Sequence, residues 1–282
     1  MTTDEWADPQ MLHKVHVLLT KMLAELDRVC RQLDISYAVY GGTAIGAVRH
    51  KGFIPWDDDV DVHMPREDYE RFYGLCRDGA LRDPYRITSY RDGSSIYGFL
   101  KLVDTRTVAK ETFIDEKNAQ GLWVDVFPLE RVDITDPGLP RVRRRAARLL
   151  WWRSIAATDP RYARSTAARL VKRVIHPFTR RLDQYGIARK ADRLAQSANA
   201  TGRVEPGNLR YLVLVDDCAE FMPEDFSDAR RAPFEGCAFD VPVGAERVLE
   251  GYYGDWRRVP PAEERPPAHL REVTWVAGAV HD

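Results

Sequence analysis

The chain has 282 residues, 44% hydrophobic and 30% charged, with a formal charge of −1, which supports a packed core and excludes a disordered or collagen-like chain. The balance hides a segregation: Arg141 to Arg181 holds 13 Arg or Lys against one acid, Asp159, leaving 29 bases and 42 acids, a charge of −13, on the rest. Four scattered cysteines, Cys30, Cys76, Cys218 and Cys237, form no CxxC pair, so neither a zinc site nor a disulfide framework is indicated and a reducing cytoplasm is expected.

The N-terminal MTTDEWADPQ lacks the basic and apolar regions of a signal peptide, and no run approaches the roughly 20 apolar residues of a membrane span. Met11, Val15, Leu18, Met22, Leu26, Val29 and Leu33 recur at three- and four-residue spacing, which predicts an amphipathic helix over 11–33. Ser36–Tyr40 reads as a short strand, broken by Gly41-Gly42-Thr43 before a short helix over 44–48. After a loop over 49–56, the alternation of acid and valine predicts a strand over Asp57–Val62, closed by Pro65. A helix over 67–75 follows, then strands over 85–90, 96–103 and 108–113 as a meander, and a strand in GLWVDVFPL, 121–129. The basic segment reads as two or three helices interrupted at Pro160 and Pro177. A further αβ portion has a strand over 211–215 and a helix near 245–253, and the proline-rich tail after Pro260 is expected to lie loosely over the surface. Three units are expected: a catalytic core (1–135), a basic helical insertion (136–205) and a C-terminal αβ segment completing the core (206–282).

Chemistry concentrates in GFIPWDDDVD, where Asp57, Asp58, Asp59 and Asp61 place four carboxylates within five residues. In a strand, Asp59 and Asp61 would share one face, with Cα atoms roughly 6.5–7 Å apart, while Val60 and Val62 enter the core. That spacing lets both acids hold a divalent cation, which would relieve their repulsion. An acid cluster is also compatible with a solvated turn, but the glycine turn ahead of it supplies backbone N–H groups for phosphate oxygens. Asp125, in an apolar run, is either a hydrogen-bonded structural acid or the third carboxylate of the site. Lys101, in FLKLVD, is a candidate phosphate contact, His63 reads as structural, and Asp57 and Asp58 are left as cap or outer partners of the site.

The run YGGTAIGAVRHKGFIPWDDDVDVHMPREDYERF resembles the LicD family of phosphotransferases, which includes bacterial phosphorylcholine transferases and relatives of fukutin. The similarity spans about Tyr37 to Phe72, with weaker echoes in GLWVDVFPLE and in PFEGCAFDVPVGAERVLEGYYGDWRRVPP. It implies an α+β fold, with a nucleotidyltransferase-like mixed sheet flanked by helices and the basic helical segment as an insertion. It also implies transfer of a phosphoalcohol from a CDP-linked donor to a hydroxyl of a glycan or small acceptor. By position, Gly41, Gly42 and Thr43 would contact donor phosphates, and Asp59, Asp61 and Asp125 would bind Mg²⁺, or Mn²⁺ in its place, and act in catalysis. The inserted RHKGFIPWDD brings Arg49, His50 and Lys51 beside the site, where Arg49 or Lys51 would stabilise phosphate charge.

Two other function classes use the same features: a nucleotidyltransferase moving NMP from NTP, and a noncatalytic membrane-surface or glycan-binding protein. The arm Arg141–Arg181, with Trp151 and Trp152, either docks on an anionic membrane at its cytoplasmic face, where a lipid-linked acceptor would be reached, or packs over the donor pocket. Nucleic acid is not an expected partner, because no recognition motif accompanies the arginines. A choline headgroup would call for an aromatic cage, with Trp56, Trp123, Tyr252, Tyr253 and Trp256 as candidates.

Overall fold

The three- and four-residue apolar spacing produces helix α1 (Pro9–Gln32), which buries Val15, Leu18, Met22, Leu26 and Val29 against one face of a sheet. The structure is a computed structural model and describes residues 9–158, 170, 178–179, 181–216, 220–227, 229–265 and 268–278. It is an α+β arrangement built on a mixed sheet. Strands β1 (Ala38–Val39), β2 (Asp61–Pro65), β3 (Tyr85–Thr88), β4 (Leu100–Asp104) and β6 (Trp123–Asp133) lie in the order β1-β2-β6-β4-β3. The β2–β6 pair is parallel and the other three pairs are antiparallel. Strand β6 is long enough to serve two neighbourhoods: its first half pairs with β2 and β4, and its second half with β7 (Leu209–Leu212), which pairs in turn with β8 (Glu220–Phe221).

Strand alternation divides the sheet's residues between two cores. Val62, Met64, Leu100, Leu102, Val124 and Val126 bury with α1 in one cluster. Asp61, His63, Lys101, Asp125 and Phe127 take the intervening positions and face the other way. On that second face Phe99, Phe127, Leu129 and Leu212 form a separate cluster with residues of α4 (Leu139–Ala157) and α5 (Gln184–Gln196). A buried ionic network ties α5 to the sheet: Arg66, at the start of α3 (Arg66–Arg77), bonds Glu130 of β6 and, at 2.9 Å, Asp192 of α5. Tyr90 and Gln196 donate to the same Asp192 carboxylate.

Three expectations are corrected. The acid-valine alternation over Asp57–Val62 is not one strand: ladder pairing starts at Asp61, because Asp57 closes a turn onto the Ile54 carbonyl and Asp58 turns its carboxylate to another segment. The meander is broken, since β5 (Thr107–Glu111) leaves β4 and pairs with β11 (Leu270–Trp275). The tail after Pro260 therefore does not lie loosely, for it contributes a strand. Boundaries also shift: the glycine turn itself is helical as α2 (Gly41–Ile45) and continues in a wide π-helical turn, Gly46–His50. The hairpin of β9 (Arg230–Phe234) and β10 (Cys237–Val241), turning on Glu235 and Gly236 at positive φ, had no separate expectation. A four-residue helix α6 (Glu224–Ser227) precedes it, and α7 (Ala245–Tyr253) has the expected bounds. The interruptions expected at Pro160 and Pro177 lie outside the described residues.

Candidate active site

One row across the sheet carries most of the chemistry. Register places Asp61 of β2 opposite Asp125 of β6, and Asp125 opposite Lys101 of β4. Lys101 is 1% exposed, with Nζ 2.9 Å from Asp125 Oδ1 and 3.9 Å from Glu111 Oε1. The rings of Trp123 and Tyr97 lie 4.0 and 4.3 Å from that ammonium. An ammonium this deep requires a partner, and Asp125 with the two ring faces provides it. Trp123 Nε1 donates to Asp125 Oδ2 at 3.1 Å. Burial pushes the Asp125 carboxyl up to about 6 even though Lys101 opposes the rise.

The three acids ahead of β2 divide their work. Asp58, 3% exposed, accepts the backbone N–H of His269 at 3.0 Å and of Leu270 at 2.7 Å, and so fastens β11 to the acid loop. That fastening carries the His269 ring into the site, where Nδ1 donates to Asp59 Oδ2 at 2.6 Å. Burial alone would raise Asp59, but the bond and charge of His269 hold it below the usual carboxylate range. The same contacts, led by the hydrogen bond with Asp58, raise His269. Asp57 and Asp61 stand well above the ordinary range, first through burial and then through repulsion from Asp59. His16 of α1, stacked on Phe53, donates to the Asp57 carbonyl at 2.7 Å and fixes the loop from behind.

The glycine turn meets these acids at close range. A Cβ on Gly42 would sit 2.3 Å from Asp57 Oδ2, and one on Gly41, at φ 59°, would sit 3.2 Å from Asp61 Oδ2. Thr43 Oγ1 accepts the Asp61 N–H at 3.0 Å, so this hydroxyl positions the strand that carries the acid. A cleft of about 470 Å³ opens over Gly42, Asp57, Asp59 and Asp61, walled by Arg49, Trp56, Tyr253 and Trp256. Arg49 donates to the carbonyls of Trp256 and Arg258, which moors the far wall. His50 and Lys51 are not among the lining residues; His50 accepts from Arg49 Nε and its pKa is lowered by burial and by that guanidinium. Of the aromatic candidates, Trp56, Tyr253 and Trp256 line the cleft, Trp123 packs on Lys101, and Tyr252 lines a separate cavity. His63 stacks on Tyr40, away from the cleft, as a structural histidine.

These residues suit a hard divalent cation. Asp57, Asp58, Asp59 and His269 offer ligand atoms within 4.8 Å of one another, although Asp58 is committed to backbone groups. Burial and mutual repulsion raise Asp57 and Asp61, the sign of a carboxylate cluster short of positive charge, and oxygen donors of this kind favour Mg²⁺ or Mn²⁺. Sequence reasoning missed His269 and the clamp by Asp58, which join segments 211 residues apart; no local pattern announces such a pair.

Residues 34–137 match the family described as LicD/FKTN/FKRP, nucleotidyltransferase domain. The chain is 29% identical over 273 residues to the lipopolysaccharide cholinephosphotransferase LicD of Haemophilus influenzae, covering 93% of this chain and 97% of that one. An uncharacterized Rickettsia prowazekii protein is 33% identical over 91 residues, covering 26% of this chain and 30% of its own length. A Rickettsia typhi protein, also uncharacterized, is 40% identical over 63 residues, which cover 22% of this chain and 17% of that one. The span that matches the LicD family contains the glycine turn, the acid loop, Lys101 and Asp125, and of these Gly42, Asp57, Asp59 and Asp61 line the cleft.

Proposed function

We propose that this transferase moves a phosphoalcohol from a CDP-linked donor to a hydroxyl of a glycan, within a nucleotidyltransferase-like fold. The observation that carries the reading is the Asp61–Asp125–Lys101 row, set beside Asp59 and Gly42 at a cleft of small-molecule size. The Haemophilus influenzae relative, named for cholinephosphate transfer and lipopolysaccharide, supplies the class of donor alcohol and acceptor. Asp59, Asp61 and Asp125 would hold Mg²⁺ or Mn²⁺, with Asp57 adjoining them. Bound there, the cation would neutralise diphosphate charge and polarise the reacting phosphorus.

The chain's own residues orient and deprotonate. Bare backbone at Gly41 and Gly42 lets the Asp61 and Asp57 carboxylates stand against the turn, and Arg49 supplies fixed positive charge for the donor phosphates on the cleft wall. The acceptor hydroxyl gives its proton to a carboxylate oxygen of the cluster, Asp59, Asp61 or Asp125. The acceptor oxygen forms a bond to the phosphorus that carries the alcohol, the bond from that phosphorus to the bridging oxygen breaks, and CMP leaves with the electron pair. Lys101 keeps Asp125 in place throughout.

The test incubates the protein with Mg²⁺, de-O-acylated lipopolysaccharide and CDP-choline, CDP-ribitol or CDP-glycerol, and measures CMP release with the mass of the acceptor. The expected result is metal-dependent CMP release with one donor, abolished by Asp61→Asn without loss of fold. Pyrophosphate released from an NTP, with none of the CDP donors consumed, would replace this reading with nucleotidyl transfer.

A further inference from the structure

Helix α4 sorts its arginines by face. Arg143 pairs with Glu220 at 3.1 Å, and Arg153 reaches Asp216 and lies over the Tyr97 ring at 4.7 Å, so both are spent on the protein. Arg141, Arg144, Arg145 and Arg148 are exposed, and none has a side-chain hydrogen bond or ion pair with a described residue. At 3.6 residues per turn these four fall within an arc of about 120° that also contains Trp151 and Trp152, in a stripe about 16 Å long. The two indoles are 56% and 41% exposed and meet edge to face, 4.9 Å between ring centroids. No acid occurs between Leu139 and Ala157.

We infer that this stripe docks the protein on an anionic lipid surface, with the arginines at the headgroups and Trp151 and Trp152 at the boundary with the acyl chains. Charge complementarity selects a polyanionic partner, and paired exposed indoles at one end of the stripe select a lipid interface over a soluble polyanion, since a phosphate backbone alone gives no reason to expose that apolar area. No helix among the described residues is long and apolar enough to cross a membrane, so attachment through this helix is peripheral. The stripe also stands close to the chemistry. Arg153, next to Trp152, lies over Tyr97; the Tyr97 ring faces Lys101 Nζ at 4.3 Å, and Lys101 holds Asp125. Docking there brings the carboxylate row toward acceptors displayed on the same membrane.

The inference is independent of donor identity, because binding is read without turnover and its failure is separable from that of phosphotransfer. The full chain is sedimented with vesicles of phosphatidylcholine alone and of phosphatidylcholine with phosphatidylglycerol, at low and high salt. Two variants accompany it: Arg141→Gln, Arg144→Gln, Arg145→Gln and Arg148→Gln combined, and Trp151→Ser with Trp152→Ser. Both change exposed side chains, and a circular-dichroism melt verifies the fold. Expected are binding only to the anionic vesicles, reversal by salt, partitioning roughly tenfold or more weaker in the arginine variant, and weaker binding in the tryptophan variant. Absence of salt-sensitive binding, or equal binding by the wild type and both variants, would overturn the inference. Retention on polyuridylate that needs the arginines but not the tryptophans, without vesicle binding, would overturn it in favour of a soluble polyanion.

Discussion

Replacing Asp58 by Asn tests whether the C-terminal strand is part of the site or an accessory to it. The carboxylate accepts two backbone N–H groups, from His269 and Leu270, and Leu270 is fully buried. Asparagine keeps one acceptor oxygen and aims an NH₂ at the other donor, so one charge-assisted bond is lost and one buried N–H is left unmatched. Hydrogen bonds to charged groups contribute roughly 1.5–3 kcal/mol, and an unmatched buried donor costs about 1–3 kcal/mol. These overlap, and a net loss of about 2–4 kcal/mol is expected, near 4–8 °C in Tm for a protein of this size. The assay pairs a thermal melt with hydrogen exchange over residues 268–278. Turnover should fall as well, because the same clamp delivers His269 to Asp59. A Tm within about 1 °C of wild type, with unchanged exchange in β11, would refute the reasoning and return the tail to a loosely held surface segment.

Lys101→Met should lower stability by about 3–5 kcal/mol, because it leaves Asp125 buried without its cation; adding Asp125→Asn should recover part of the loss in a double-mutant cycle measured by urea denaturation. Gly42→Ala should cut turnover at least tenfold while moving the Tm little, since the new methyl displaces the Asp57 carboxylate and not the core; normal kinetics would show that Asp57 has no part in the chemistry. Mg²⁺ at 100 times its Kd should stabilise the protein by about 2.7 kcal/mol, and a melt of Asp61→Asn should show this shift reduced. Arg66→Met should cost about 3–5 kcal/mol, since Glu130 and Asp192 are both buried, with the loss read in the urea midpoint.

Local pattern and site legibility run together in the first half of the chain. The α1 periodicity, the glycine turn before a strand, and GLWVDVFPL each encode their environment in a few neighbouring residues, so the helix, the turn and β6 are readable, and Asp61 and Asp125 meet as strand neighbours. The run Asp57–Asp59 misleads for a physical reason. Alternation predicts a strand only if both faces have something to pack on, and Asp58 instead satisfies backbone donors from a segment more than 200 residues away. Lys101 shows the same limit: its strand is legible, but its commitment to Asp125 depends on a register that only the assembled sheet fixes.

The acid cluster is balanced from two directions, and each counterweight comes from a different part of the chain. Lys101 faces Asp125 from β4, His269 faces Asp59 from the segment that starts β11, and burial followed by repulsion from Asp59 keeps the proton affinity of Asp57 and Asp61 raised. Asp57 and Asp61 both line the cleft, and this uneven distribution would favour a cation, or a diphosphate–cation pair, beside those two acids. Were Asp57 and Asp61 also paired with protein side chains, the loop would be more stable and the site would have no electrostatic reason to bind metal. The strain kept in that pair is what Asp57→Asn should release: a higher Tm without metal, measured beside a weaker Mg²⁺-induced shift. A variant less stable than wild type in metal-free buffer would show that the repulsion had already been relieved within the protein.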